Sequence, residues 1–183
     1  MGAGCAFSQT KLETQEIALN QTLLKFRQAS TAEQMDAQNE TFKDEFKAFL
    51  SLPGAFDYKF KHLESVAILD SPDEKIRIIN WNIEYPDMSY AYGGFILIKS
   101  NKKTRIVELV DTLDAYDSKP KGTVDYSKWY GALYYKIVPF ENGSKTEYLL
   151  LGWDGGTTGS NFKIMDVLVL GKRSVRFGSP VFI

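Results

Sequence analysis

The sequence predicts an α+β fold: an N-terminal two-helix hairpin packed on a curved, mostly antiparallel β-sheet of about eight strands, sandwich- or barrel-like. Three observations predict it. Apolar residues recur at helical spacing over roughly the first fifty positions. Beyond Gly54, short apolar runs alternate with turn residues. Those runs pair off as four consecutive hairpins, and consecutive hairpins favour an antiparallel meander.

The helices come first. Leu12, Leu19, Leu23 and Phe26 follow at spacings of seven, four and three, which is one stripe on a helix over about 11–28. Ser30 with Glu33 has the spacing of a capping box opening a second helix. Met35, Phe42, Phe46 and Phe49 stripe that helix, and Pro53-Gly54 stops it.

The strands follow in order. Residues 66–69 and 75–84 flank Ser71-Pro72-Asp73-Glu74, where the fixed φ of proline suits a turn. Residues 92–99 and 104–110 flank a turn at 100–103. An irregular stretch, 111–127, comes next. Residues 131–140 and 145–153 flank Asn142-Gly143, a strong hairpin signal. Residues 162–170 and 175–183 form the last pair around Gly171-Lys172. Several strands are apolar on both faces, so both faces need cover. The organisation is a short tail (1–9) and one α+β domain (10–183), with the helical hairpin at 10–52 and the meander at 53–183.

Composition narrows the function classes. Of 183 residues, 22 are Lys or Arg and 23 Asp or Glu, a formal net charge of −1. This balance gives no bulk electrostatic pull toward nucleic acid or an anionic membrane. One Cys and one His cannot build a thiolate-rich or His-rich metal centre. No P-loop, GxSxG or dinucleotide fingerprint occurs, and no apolar run is long enough for a membrane span. The residues call for no cofactor and no metal.

The N-terminus reads as the end of an export signal. Ala6-Phe7-Ser8 places small residues at the −3 and −1 positions of a signal peptidase site, with Gln9 as the new start. Ala3-Gly4-Cys5 gives the rival reading, a lipid anchor on Cys5. The expected location is the periplasm or the cell exterior.

Candidate ligand-binding residues cluster at strand ends. Trp81, Asn82, Glu84 and Tyr85 close one strand, Trp153 and Asp154 another, and Trp129-Tyr130 lead into a third. Aromatic rings beside carboxylates and amides suit sugars, whose C–H faces stack on π systems while hydroxyls take hydrogen bonds. The same residues also suit core tryptophans with solvated neighbours. Strand alternation sets Asn82 and Glu84 on the face opposite Trp81. The pairs Glu84 with Asp87 and Asp111 with Asp114 are candidate acid–base couples. The Gly-rich loop 153–161 precedes a strand rather than a helix, so it fails as a nucleotide loop. His62 has no serine or cysteine partner in the sequence pattern.

Three segments, Lys75-Ile-Arg-Ile-Ile-Asn-Trp-Asn82, Tyr130-Gly-Ala-Leu-Tyr-Tyr-Lys136 and Tyr148-Leu-Leu-Leu-Gly-Trp-Asp-Gly155, follow an Ala-Phe-Ser-Gln junction. Together they resemble a group of uncharacterised exported proteins of Bacteroidota-type bacteria. The resemblance covers the chain from about the first strand onward. It implies an envelope location and brings no activity, substrate or catalytic residue.

The expectation is therefore an exported, non-enzymatic binding or interaction module whose partner is a glycan or an envelope protein. The alternative is a carbohydrate-active hydrolase or glycan-binding domain using the aromatic and carboxylate residues at strand ends.

Overall fold

The apolar stripes and hairpins of the sequence become two helices and nine strands in the computed structural model, which describes residues 3–100, 103–112, 122–156, 160–179 and 181, with side chains from Thr10 onward. The fold is α+β, its sheets antiparallel. The chain divides into two compact units. One runs to Ser65 and includes Tyr85–Asp87; the other holds Val66–Glu84 and the chain from Met88 on.

The first unit contains α1 (Ala3–Gln28) and α2 (Ala32–Leu50). Helix α1 starts at Ala3, well before the expected 11, so Cys5 and Ala6–Ser8 have helical backbone. Leu12, Leu19, Leu23 and Phe26 are all buried, as the stripe requires. Phe26 stacks on Phe42, and Phe42, Phe46, Phe49, Tyr58 and Phe60 form one aromatic cluster. Met35 is only half-buried. The expected Ser30–Glu33 cap shifts by one residue. Thr31 is the N-cap and accepts from the Gln34 N–H, while the Gln34 side chain accepts from the Ser30 N–H. Ser30 and Thr31 are both N-cap types, and Thr31 has the extended cap backbone, which makes Gln34 rather than Glu33 the N3 residue.

The second unit contains nine strands in two sheets. The first sheet runs β1 (Ala67–Asp70), β2 (Ile76–Glu84), β3 (Tyr90–Ile98), β4 (Arg105–Val110) in that order. The second comprises β5 (Val124–Asp125), β6 (Leu133–Asn142), β7 (Lys145–Asp154), β8 (Phe162–Leu170) and β9 (Val175–Phe177), ordered β5-β9-β8-β7-β6. All four expected hairpins form. Of the sandwich- or barrel-like sheet expected, the closed or strongly curved form does not appear: four and five strands make two sheets. Strand β4 pairs with β3 and β5 pairs with β9, so among the described residues no ladder joins the two sheets. Asp111 makes one isolated parallel bridge to Trp129 instead of continuing the ladder. The expected last strand, 175–183, stops at Phe177, and Gly178 follows with a positive φ of 81°.

The inner faces of the two sheets share one core. Ile76, Ile78 and Ile96 from the first meet Tyr148, Leu150 and Leu168 from the second. Polar groups fix the register between the sheets. Asn80, fully buried, accepts from the Tyr134 N–H at 2.7 Å and donates to the Tyr134 carbonyl at 3.3 Å. Arg105 donates to the carbonyls of Lys172 and Ser174 in the β8–β9 turn. On the other face of β2, Trp81 lies opposite Gly93, where a Cβ would come within 2.5 Å of the indole. Only glycine leaves room for that ring.

The β1–β2 turn is closed by Asp73, which accepts from the Ser71 hydroxyl and from the Tyr148 hydroxyl of the second sheet at 2.9 Å. Burial pushes this carboxyl up, but the bonds from Ser71, Tyr148 and Lys75 together outweigh it and hold the pKa below the ordinary value. A carboxyl lowered in the folded state stabilises the fold above its unfolded pKa, and that contribution fades as pH falls through the folded pKa. Tyr148→Phe is therefore expected to cost about 1–2 kcal/mol at neutral pH. The difference from the parent should shrink below about pH 4 in urea titrations. A deficit unchanged at pH 2.5 would count against Asp73 as the acceptor that matters.

Candidate functional site

Two of the strand-end residues expected to bind a ligand come together. Tyr130, just before β6, donates its hydroxyl proton to Asp154 at the end of β7, at 3.3 Å. Asp154 is only 1% exposed. It also accepts from the Tyr92 hydroxyl at 3.2 Å and from the Gly156 N–H at 3.0 Å. The Tyr92 hydroxyl in turn accepts from the Gly155 N–H. Its backbone N–H is taken by Asp111. Burial, with Asp154 and Asp111 nearby, raises the Tyr130 phenol to about 12. Burial raises Tyr92 as well, with the Asp154 and Asp111 charges adding to it against the Gly155 bond. Both phenols thus stay protonated and serve as donors.

The tryptophans go elsewhere. Trp81 is 0% exposed, packed near Phe95, and offers no ring face to a ligand. Trp129 is equally buried, in the core shared by the two sheets, and donates its indole N–H to the Tyr134 hydroxyl at 3.0 Å. Trp153 is half-buried and meets Tyr90 edge-on at 5.2 Å. Asn82 is half-buried, and Glu84 is exposed and accepts from Tyr90. Tyr85 belongs to the first unit, where its hydroxyl donates to Asp36. Strand alternation governs this dispersal, since in both β2 and β7 the tryptophan and its polar neighbour occupy opposite faces. Of the acid pairs, Glu84 and Asp87 are both exposed, and Asp114 lies outside the described residues, as do Thr157–Gly159 of the Gly-rich loop. His62 is exposed, and its backbone N–H donates to Glu16.

Tyr130 also borders a cleft of about 290 Å³ whose walls include Val124, Ile164, Met165 and Phe177. Its carboxylate is Asp166, a residue not singled out from the sequence. Asp166 Oδ1 accepts from the backbone N–H groups of Val167 and Gly178, at 2.7 and 3.0 Å. Its Oδ2 accepts from the Tyr134 hydroxyl at 2.9 Å. Burial raises this carboxyl above the ordinary value, and those three bonds offset the rise only in part. Trp129, Tyr134 and Asp166 thus form one hydrogen-bonded chain from the core to the cleft. Strand β8 held the signal: in 162–170, Asp166 is the one acid, and it shares its face with Ile164 and Leu168.

Among the described residues no group of three or more His, Cys, Asp or Glu could hold a metal ion, and no helix is long and apolar enough to cross a membrane. Compared with known proteins, the chain matches no protein-family model, no curated protein sequence and no solved structure.

Proposed function

We propose that this chain is an exported binding module, not an enzyme, and that its β unit takes a small ligand in the cleft bordered by Tyr130 and Asp166. The cleft carries the reading. It joins apolar walls to a phenol and a carboxylate, the mix that fixes a small molecule by shape and by a few polar contacts. Its volume sits at the lower end of about 300–1,000 Å³, the range of small-molecule sites. A glycosidase would set two carboxylates across the scissile bond. Here one acid, Asp166, borders the cleft, while Asp154 is buried and both its oxygens accept from protein donors. That arrangement favours holding over hydrolysing.

A thermal-shift screen with neutral sugars, amines and carboxylates tests it, because a ligand that binds only the folded state raises Tm. Hits are expected to vanish in Ile164→Trp, which fills the cleft from the half-buried face that Asp166 shares. A hit that survives this change unaltered places binding elsewhere and sinks the cleft reading. Export has its own test: N-terminal sequencing of protein from its native cells should begin at Gln9, and an intact Met1 overturns it.

A further inference from the structure

The cleft is unevenly supplied with polar groups. Its Tyr130 hydroxyl gives its proton to Asp154. The Gly178 N–H is taken by the Val167 carbonyl and Asp166. Lys163 borders the cleft, but its ammonium lies over the Tyr135 ring, 5.4 Å from the centroid. By strand alternation Lys163 and Asp166 occupy opposite faces of β8. Asp166 is thus the charged group on the Ile164 face of the cleft. A carboxylate oxygen has two lone-pair sites. Oδ1 of Asp166 fills both with backbone N–H groups, whereas Oδ2 takes one bond, from Tyr134. All three partners are neutral.

From this we infer that the cleft binds a small protonated amine, its ammonium donating to Asp166 Oδ2 and its alkyl part lying between Ile164 and the Tyr130 and Phe177 rings. The inference rests on the reading of the cleft as the ligand site and names the ligand's chemistry. A carboxylate in an apolar recess attracts a cation more strongly than one in open water. Aromatic faces attract ammonium groups through their quadrupole, and Ile164 gives the alkyl chain an apolar wall. A neutral hydroxyl would use the same lone pair without the charge, and an anion would meet Asp166 unfavourably.

The experiment uses the full chain and three probes of one size: n-butylammonium, n-butanol and n-butyrate. Binding is read from the NMR shifts of the Ile164 methyls. The expected result is saturable shifts with butylammonium, about tenfold tighter than with butanol, corresponding to about 1.4 kcal/mol, and none with butyrate. Asp166→Asn should erase the preference for the amine while butanol binding persists, which also reports that the variant is folded. Equal or tighter binding of butanol or butyrate at the same methyls overturns the inference and leaves the cleft as a ligand site. If none of the three probes, nor any neutral sugar, moves these methyls, the inference and the cleft reading fall together.

Discussion

Glu16→Ala is expected to destabilise the protein by about 3–5 kcal/mol, because three donors lose a buried acceptor and a void opens. Glu16 is 0% exposed and sits within the α1 stripe, between Leu12 and Leu19. It accepts from the Tyr58 hydroxyl at 2.7 Å and from the backbone N–H groups of Lys61 and His62 at 2.6 and 2.7 Å. One carboxylate therefore fixes the whole segment that follows α2. Burial raises the Tyr58 phenol, and the bond to Glu16 adds to that, so the hydroxyl remains a donor. Truncation to alanine strands three donors and opens a void. Glu16→Gln keeps an acceptor for the two N–H groups and should lose less, about 1–2 kcal/mol. Urea denaturation of both variants and of Tyr58→Phe ranks them. An alanine variant within about 1 kcal/mol of the parent would mean that water satisfies those donors after all.

Tyr134→Phe is expected to cost about 2–4 kcal/mol, although it removes one oxygen and leaves the ring. The ring stacks on Phe177, nearly parallel, so packing is preserved. What is lost is the middle of a chain: the Trp129 indole N–H loses its acceptor and Asp166 Oδ2 its donor. The size of the loss should depend on pH. Asp166 has a raised pKa in the folded state, so the folded protein holds that proton more tightly than the unfolded one. Its contribution falls as pH rises from the ordinary carboxylate value through the folded value. The Tyr134 bond lowers the Asp166 pKa, so its removal widens that window. The deficit of Tyr134→Phe should grow from about pH 3 to pH 7. An identical deficit at both ends would show that Asp166 does not feel the phenol.

Glu16 and Asp166 also show how far the sequence could be read. Each is an acid at a position where periodicity demands an apolar side chain, on a helix stripe in one case and an inward strand face in the other. Apolar periodicity marks a stripe or strand by its apolar members, and a lone acid within it carries no periodic signal. Yet a carboxylate at a core position must be repaid with donors, which makes it informative. The hairpins were legible because each is closed by local turn chemistry, as at Ser71–Asp73 and Asn142–Gly143. The split into two sheets was not, because it depends on which distant strands pair, β5 with β9 rather than with β4. Nor was β5, a two-residue strand whose partner is β9. Of the expected site, alternation alone foretold that Trp81 would part from Asn82 and Glu84. The meeting of Tyr130 with Asp154 depended on pairing between distant strands.

That short strand has a kinetic side. The ladder of β5 consists of Val124 opposite Phe177 and Asp125 opposite Arg176, supported by the Thr123 hydroxyl on the Gly178 carbonyl. Gly122, Val124, Phe177 and Gly178 are also cleft lining. Among the described residues the wall of the cleft is thus a sparsely bonded margin of its sheet, whereas β7 is hydrogen-bonded along both edges. Local opening costs least where few backbone bonds must break, so amides at this margin should exchange with solvent through fluctuations far smaller than global unfolding. A molecule seated between Asp166 and Phe177 would slow that exchange, and hydrogen exchange at the β5–β9 margin would register an occupant through the backbone alone.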